Sequence, residues 1–425
     1  MIQTKHSFFA SAGPLLLVLL IDGMGLGLVF PILNGLIFDP QSQILPPALL
    51  TPTAQNLLYG GIVGIFMLCW FFGAAILGDL SDRIGRKNSL MICLFGAFLS
   101  YLLSAIAVVT HSLSLLIIGR IVAGFTSGSQ PIAQAAIIDL SHDEQKTRNI
   151  GLILLSLSLG FIIGPLLGGI LSDNQIISWF NFSVPFFFAA VISLLNIGLL
   201  WWLFNETFEA KHASFAINPY QAINIFVSAF QHEKIRSLSF IFFIFIFGWS
   251  SFYSFIAMFL LKNYGFSPTE VSLYMALMGV GFGIGNGYLS NFFAKRFPLH
   301  TNFIWSNLVT GIMILTVVFV KSALFSWLMI IPIATTVSIA YTSVLTLFSD
   351  QVDANSQGWV MGVTGSILAF VFGIDGIVIG VVATWHDILP IFIAGACLLL
   401  TSIITLLFYQ AEDDGKAKQP NIPLH

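Results

Sequence analysis

Three ionisable side chains fall deep inside long apolar runs, where charge is costly. Asp22 follows Leu19-Leu20-Ile21 and precedes a glycine-rich stretch with Gly23, Gly25 and Gly27. It lies about 8 residues into its run, roughly 12 Å deep at about 1.5 Å per residue. An ionised carboxylate at that depth must face a cavity, find a cationic partner or take up a proton. Proton uptake would make Asp22 a carrier; the alternative is a structural hydrogen-bond acceptor among closely packed backbones. Arg120, in Gly119-Arg120-Ile-Val-Ala-Gly124, is the one basic residue within such a run, and it stays charged. It needs an anion, a ring of carbonyls or a route to the interface. Asp375, in Phe372-Gly373-Ile374-Asp375-Gly376, is the second deep carboxylate. It can be a protonation site, a substrate contact or a local cap on a glycine-loosened helix.

A second concentration of charge is Gly78-Asp79-Leu80-Ser81-Asp82-Arg83-Ile84-Gly85-Arg86-Lys87, in a chain only 8% charged. It separates two apolar runs, 57–77 and 89–110, each long enough to cross a bilayer, so it reads as a short loop outside the hydrocarbon. Gly78 and Gly85 suit a tight turn. Asp139 closes another apolar run beside Ser141-His142-Asp143-Glu144. A third pattern, Gly160-Phe-Ile-Ile-Gly164-Pro165-Leu-Leu-Gly168-Gly169, spaces small residues so that helices can touch backbone to backbone. Span eight, with Gly279, Gly281, Gly283, Gly285 and Gly287, offers a partner surface.

The elements that position these residues follow from composition. The 425-residue chain is 57% hydrophobic, with 16 Lys and Arg against 19 Asp and Glu, and its mean hydropathy is +0.93. That is the composition of a membrane-embedded protein. Twelve apolar blocks stand out, at about 14–36, 57–77, 89–110, 114–138, 150–172, 184–204, 237–261, 268–291, 301–320, 324–348, 358–384 and 388–409. Lipid offers backbone groups no partner, so all twelve are expected to be helices. Lys262 and Lys321 alone fall on one side, Arg120 within a span, and the other Lys and Arg on the opposite side, which predicts both termini in the cytoplasm. The polar break 205–236 divides the spans six and six. The expected organisation is an N-terminal bundle 1–204, a cytoplasmic linker 205–236, a C-terminal bundle 237–409 and a tail 410–425. Within the linker, Tyr220 to Phe230 is apolar-periodic and suits either a surface helix or a flexible tether. Gly287-Tyr-Leu-Ser-Asn291-Phe-Phe-Ala-Lys295-Arg296 falls where a second copy of Gly78–Lys87 belongs, having kept the glycine and basic pair but lost the acids.

The charged loop resembles the loop 2–3 signature of the major facilitator superfamily of secondary transporters, and Gly119–Gly128 its fourth-helix signature. The resemblance implies an all-α fold of twelve transmembrane helices in two six-helix bundles. It implies an Arg120 near the central cavity that influences a proton-carrying acid. It also implies that Gly78, Asp82, Gly85, Arg86 and Asp139 form a gate, with Arg86 paired to Asp139 and Asp82 facing the start of helix eleven near Gly358. Gly160, Gly164, Pro165, Gly168 and Gly169 resemble the fifth-helix motif of its proton-coupled antiporters. Leu19 to Pro31 and Asn205-Glu206-Thr207 resemble the tetracycline-resistance and related drug/proton antiporters. Two departures point away from tetracycline itself: those pumps carry an acid in the third helix, where this chain has Ser100-Tyr101, and a histidine in the eighth, where 268–291 has none.

In this superfamily the substrate cavity lies between the halves, on spans 1, 4, 7 and 10. That makes Asn34, Gln130, Gln134, Trp249, Tyr253, Tyr341 and Thr342 candidates, with an amphipathic organic molecule favoured by so apolar a lining. The expected function is proton-coupled export of such a compound across the bacterial inner membrane by alternating access, with Asp22, Arg120 and Asp375 as coupling residues. Alternatives are export of a siderophore or endogenous metabolite, or inward proton symport. The expected partners are small-molecule substrate, protons and the lipid bilayer, in a monomer. A net charge of −3 gives no reason to expect nucleic acid. No cofactor or metal is expected, since the three cysteines and eight histidines are scattered. The lack of any deep catalytic cluster argues against an enzyme, and the lack of a filter-like loop or charged ring against a channel.

Overall fold

The computed structural model describes residues 8–39, 42–141, 146–207, 220–353 and 356–408. The chain is a stack of long helices. In the first half these are α1 (Phe8–Phe38), α2 (Pro52–Ile84), α3 (Arg86–Val109), α4 (Leu113–Thr126), α5 (Ser129–Asp139), α6 (Lys146–Ser172) and α7 (Val184–Leu203). A short α8 (Gln221–Gln231) leads into the second half. There follow α9 (Glu233–Tyr264), α10 (Pro268–Ile284), α11 (Ser290–Ala294), α12 (Leu299–Val320), α13 (Ala323–Asp350), α14 (Gln357–Val382) and α15 (Leu389–Phe408). Ordinary start signals set several of them. Thr51 caps α2 ahead of Pro52, Ser322 caps α13, and Ser267 with Glu270 forms a capping box ahead of α10.

Ten of these helices are long and apolar enough to cross a membrane. The remaining two spans, read in the sequence as continuous over 114–138 and 268–291, are interrupted. Span four breaks between α4 and α5, where the Thr126 and Ser127 hydroxyls bond back to the Val122 and Ala123 carbonyls, and Gly128 follows. Such local bonds compete with a regular helix. Span eight loosens into a π turn at Gly285–Leu289, beside which Asn286 accepts a bond from Thr342. The twelve spans form two six-helix bundles.

Two seams join the bundles. In one, Gly60 and Gly64 of α2 lie against Gly373, Gly376 and Gly380 of α14, so closely that a Cβ on Gly60 would come within 2.7 Å of the Gly380 Cα. In the other, Gly279 of α10 meets Phe161 and Ile162 of α6, and Thr269 bonds Asp173 at 2.7 Å. The small residues of α6 mainly serve a different partner from the one expected. Gly160 and Gly164 press on Gly23 and Met24 of α1, Gly168 on Leu28, and Gly27 on the Pro165 ring, whereas Gly169 turns to Ser272 of α10. Of the span-eight glycines, Gly281 and Gly285 face α13, and Gly283 and Gly287 have open space.

The seams are tight at one face only. On the face carrying Lys262, Asn34 donates to the Ala257 carbonyl, Tyr59 to Ser254, and Lys262 bridges Asn56 and Asp387 at 2.8 Å each. Towards the face carrying Gly78–Lys87, α2 and α14 diverge: Gly78, Gly358, Gly362 and Gly365 have nothing within 4 Å of a built Cβ. α8 fills the apex of that divergence. Phe226 lies against both Phe71 of α2 (ring centroids 6.1 Å) and Phe370 of α14 (4.3 Å), while Ala222 and Ala229 are buried beneath it.

Candidate functional site

The glycines that bring α1 against α6 also fix where Asp22 points. Opposite it, the break in span four places Ser129 at the first turn of α5, and the Ser129 hydroxyl reaches both carboxylate oxygens at 2.9 and 2.8 Å. Asp22 lines a recess together with Phe66, Trp70, Tyr101, Arg120 and Gln130. A second, smaller recess continues from it, sharing Gly25, Phe66 and Arg120 and otherwise lined by apolar side chains such as Val29, Leu33 and Ile62. Arg120 therefore stands at the junction of a polar chamber and an apolar one.

The surroundings of Arg120 are sparse for a guanidinium that is 3% exposed. One terminal nitrogen donates to Ser104 at 3.0 Å, the Phe186 ring lies 5.6 Å from its carbon, and Nε has no partner. Among the described residues no carboxylate pairs with it, and none of the cations pairs with Asp22. The two charges share a chamber without forming an ion pair with each other. Tyr101 stands between α1 and α4, its hydroxyl against Gly25.

Asp375 is placed differently. It is wholly buried between α14 and α9, accepts from Ser251 at 2.5 Å, and has an unpartnered second oxygen. Of the other cavity candidates, Gln130 lines the chamber. Asn34 and Tyr253 sit in the packing between bundles, Tyr253 edge-on to Phe30 at 5.1 Å and Trp249 edge-on to Phe282 at 5.7 Å. Tyr341 packs near Phe242, Thr342 bonds Asn286 and the Ser338 carbonyl, and Gln134 is half-buried on α5.

At the charged-loop face, Arg86 bonds Asp82 and Ser81 at 2.8 Å, with Nε 3.5 Å from Asp139. Asp82 is largely exposed and turned to Arg86, and Gly358 has open space around it. The start of α3 is held by Glu206, whose carboxylate accepts the backbone N–H groups of Arg86 and Lys87 at 2.9 and 3.0 Å. An acid at a helix N-terminus is favourable for charge as well as for hydrogen bonding. Gly85, at φ +96, provides the turn that lets this carboxylate approach.

The family model of the Major Facilitator Superfamily matches residues 15–374, and again 238–424. The chain belongs to the Major Facilitator Superfamily. It is a multi-pass membrane transporter and not an enzyme. Among curated members of the superfamily, it is 26% identical to "Tetracycline resistance protein, class C" of Escherichia coli over 91% of this chain and 93% of that one. It is 24% identical to "Quinolone resistance protein NorA" of Staphylococcus aureus over 94% and 96%. Solved members of the superfamily share the fold. A D-xylose-proton symporter superposes with a TM-score of 0.73 at 16% identity over 95% of this chain and 99% of that one. The human organic anion transporter MFSD10 gives 0.69 at 18% over 94% and 100%.

Proposed function

We propose that this superfamily member is a proton-coupled exporter of amphipathic organic compounds, with Asp22 as the proton carrier. The observation that carries the reading is the chamber itself: a half-buried acid and a buried base face one recess, each held only by neutral groups, where a cargo and a proton can compete. The relatives named for tetracycline and quinolone resistance support export of drug-like cargo. The Lys and Arg distribution supports placing the Gly78–Lys87 face in the cytoplasm of an inner membrane. On that placement 205–236 is a cytoplasmic linker between bundles 1–204 and 237–409, and the structure is inward-facing. The gate of Gly78, Asp82, Gly85, Arg86 and Asp139 is then unlatched from α14, and the Lys262 contacts seal the outer side. Asp375, wholly buried and not among the residues that line the chamber, serves packing in this reading.

The test is accumulation of tetracycline, a quinolone and an organic dye in everted membrane vesicles. Accumulation is expected to require an imposed proton gradient and to collapse with a protonophore. If Asp22→Asn kept gradient-driven accumulation with unchanged pH dependence, the coupling assignment would be wrong.

A further inference from the structure

We propose that the cargo of this transporter is zwitterionic, its anionic group received by Arg120 and its cationic group by Asp22. This rests on the reading of the chamber as the transport site, and it names the cargo class. A guanidinium out of water without an anion is costly, and Arg120 has only a serine hydroxyl, an aromatic face and an unpartnered Nε. Asp22 likewise has only the Ser129 hydroxyl. Were these two charges to serve each other, an ion pair would join them, and none does. One molecule carrying both charges satisfies both residues, with its apolar body turned to the apolar side of Arg120, where Val29, Leu33 and Ile62 line a narrow recess.

Charge logic supports the same assignment. A purely anionic cargo binds better when Asp22 is protonated, so cargo and proton would travel together. A cargo whose cationic end sits on Asp22 is displaced by a proton there, which is what antiport requires. Arg120 holds the other end without taking part in the exchange. Among the described residues, the titratable groups near Asp22 are Cys93 and Tyr101 of α3, Tyr101 also lies near Arg120, and Arg120 of α4 lines the same recess as Asp22.

The test is binding of matched probes to the purified full-length protein in nanodiscs, read by tryptophan fluorescence and thermal shift. Naphthylalanine and glycyl-naphthylalanine give two charge separations. Each is compared with its amide (cation), N-acetyl form (anion) and N-acetyl amide (neutral). At one separation at least, the zwitterion is expected to bind about tenfold or more tighter than the neutral form. Arg120→Gln should erase the advantage of the carboxylate and keep that of the amine; Asp22→Asn should do the reverse. Lowering the pH should displace the amine-bearing probes and spare the N-acetyl acid. Should Arg120→Gln not fold, Arg120→Lys, which keeps the charge, should keep the carboxylate advantage. Equal binding of all four forms at both separations, or a cation binding as tightly as the zwitterion, overturns the proposal. These readouts involve no transport, so a failure of proton coupling in vesicles and a failure of the zwitterion assignment are told apart.

Discussion

Asp22 and Asp375 are the same residue type set in comparably apolar helices, one in each bundle, and their surroundings diverge. Asp22 is held by a flexible hydroxyl on the rim of a chamber, opposite a break in span four. Asp375 lies in an unbroken helix, bonded to Ser251 and walled in where α14 presses its glycines on α2. Depth in the sequence does not decide how much space surrounds such an acid. The neighbouring backbone does: an interrupted helix leaves space beside the acid, and a glycine seam removes it.

The largest expected effect breaks or confirms this contrast directly. Asp22→Asn should reduce gradient-driven accumulation to the passive leak. Asp375→Asn should leave it within about twofold and lower stability by about 1–2 kcal/mol through the Ser251 bond; thermal melting in detergent measures the second, and loss of transport in Asp375→Asn would erase the distinction. Next, Gly60→Val pushes a branched side chain into the Gly376 carbonyl and the Gly380 Cα. Overpacking of this kind costs about 1–3 kcal/mol, and because the clash lies at the closed end of the seam, cross-linking across the Lys262 face should fall with it. A cysteine pair on α2 and α14 reports that change.

The smallest effect tests the charged-loop end of the first bundle. Glu206→Gln keeps one oxygen acceptor, removes the charge at the α3 N-terminus and sets an amide NH2 against the second backbone N–H, so about 0.5–1 kcal/mol of stability should be lost. Glu206→Ala removes both and should cost about 1 kcal/mol. Equal melting temperatures for the native protein and both variants would show the cap to be idle.

The twelve spans, the charged stretch and the two deep acids are legible in the sequence because hydrophobicity and rare charge are strong signals against a background of leucine and phenylalanine. The stretch is not the short loop expected, since Gly78–Ile84 continue α2 and only Gly85 separates α2 from α3. The chamber is legible only in part. Asp22, Arg120 and Gln130 stand out by type, whereas Ser129 and Ser104 are ordinary serines until the fold brings them to the charges from 107 and 16 residues away. Tyr101 is visible only as a residue in place of an acid. Glu206 is quoted in the sequence as part of a resemblance, yet its role depends on a backbone over a hundred residues earlier. The breaks in spans four and eight escape a hydropathy reading because serine, threonine and glycine barely alter the average over such a window.

The seat of α8 has a mechanical consequence. Phe226 is lodged between Phe71 of α2 and Phe370 of α14, so a closure that brought Asp82 to the beginning of α14, as the proposed gate requires, would first displace α8. If the proposed cycle closes this face, α8 acts as a doorstop, and closure has to begin by pulling one phenylalanine out of the gap.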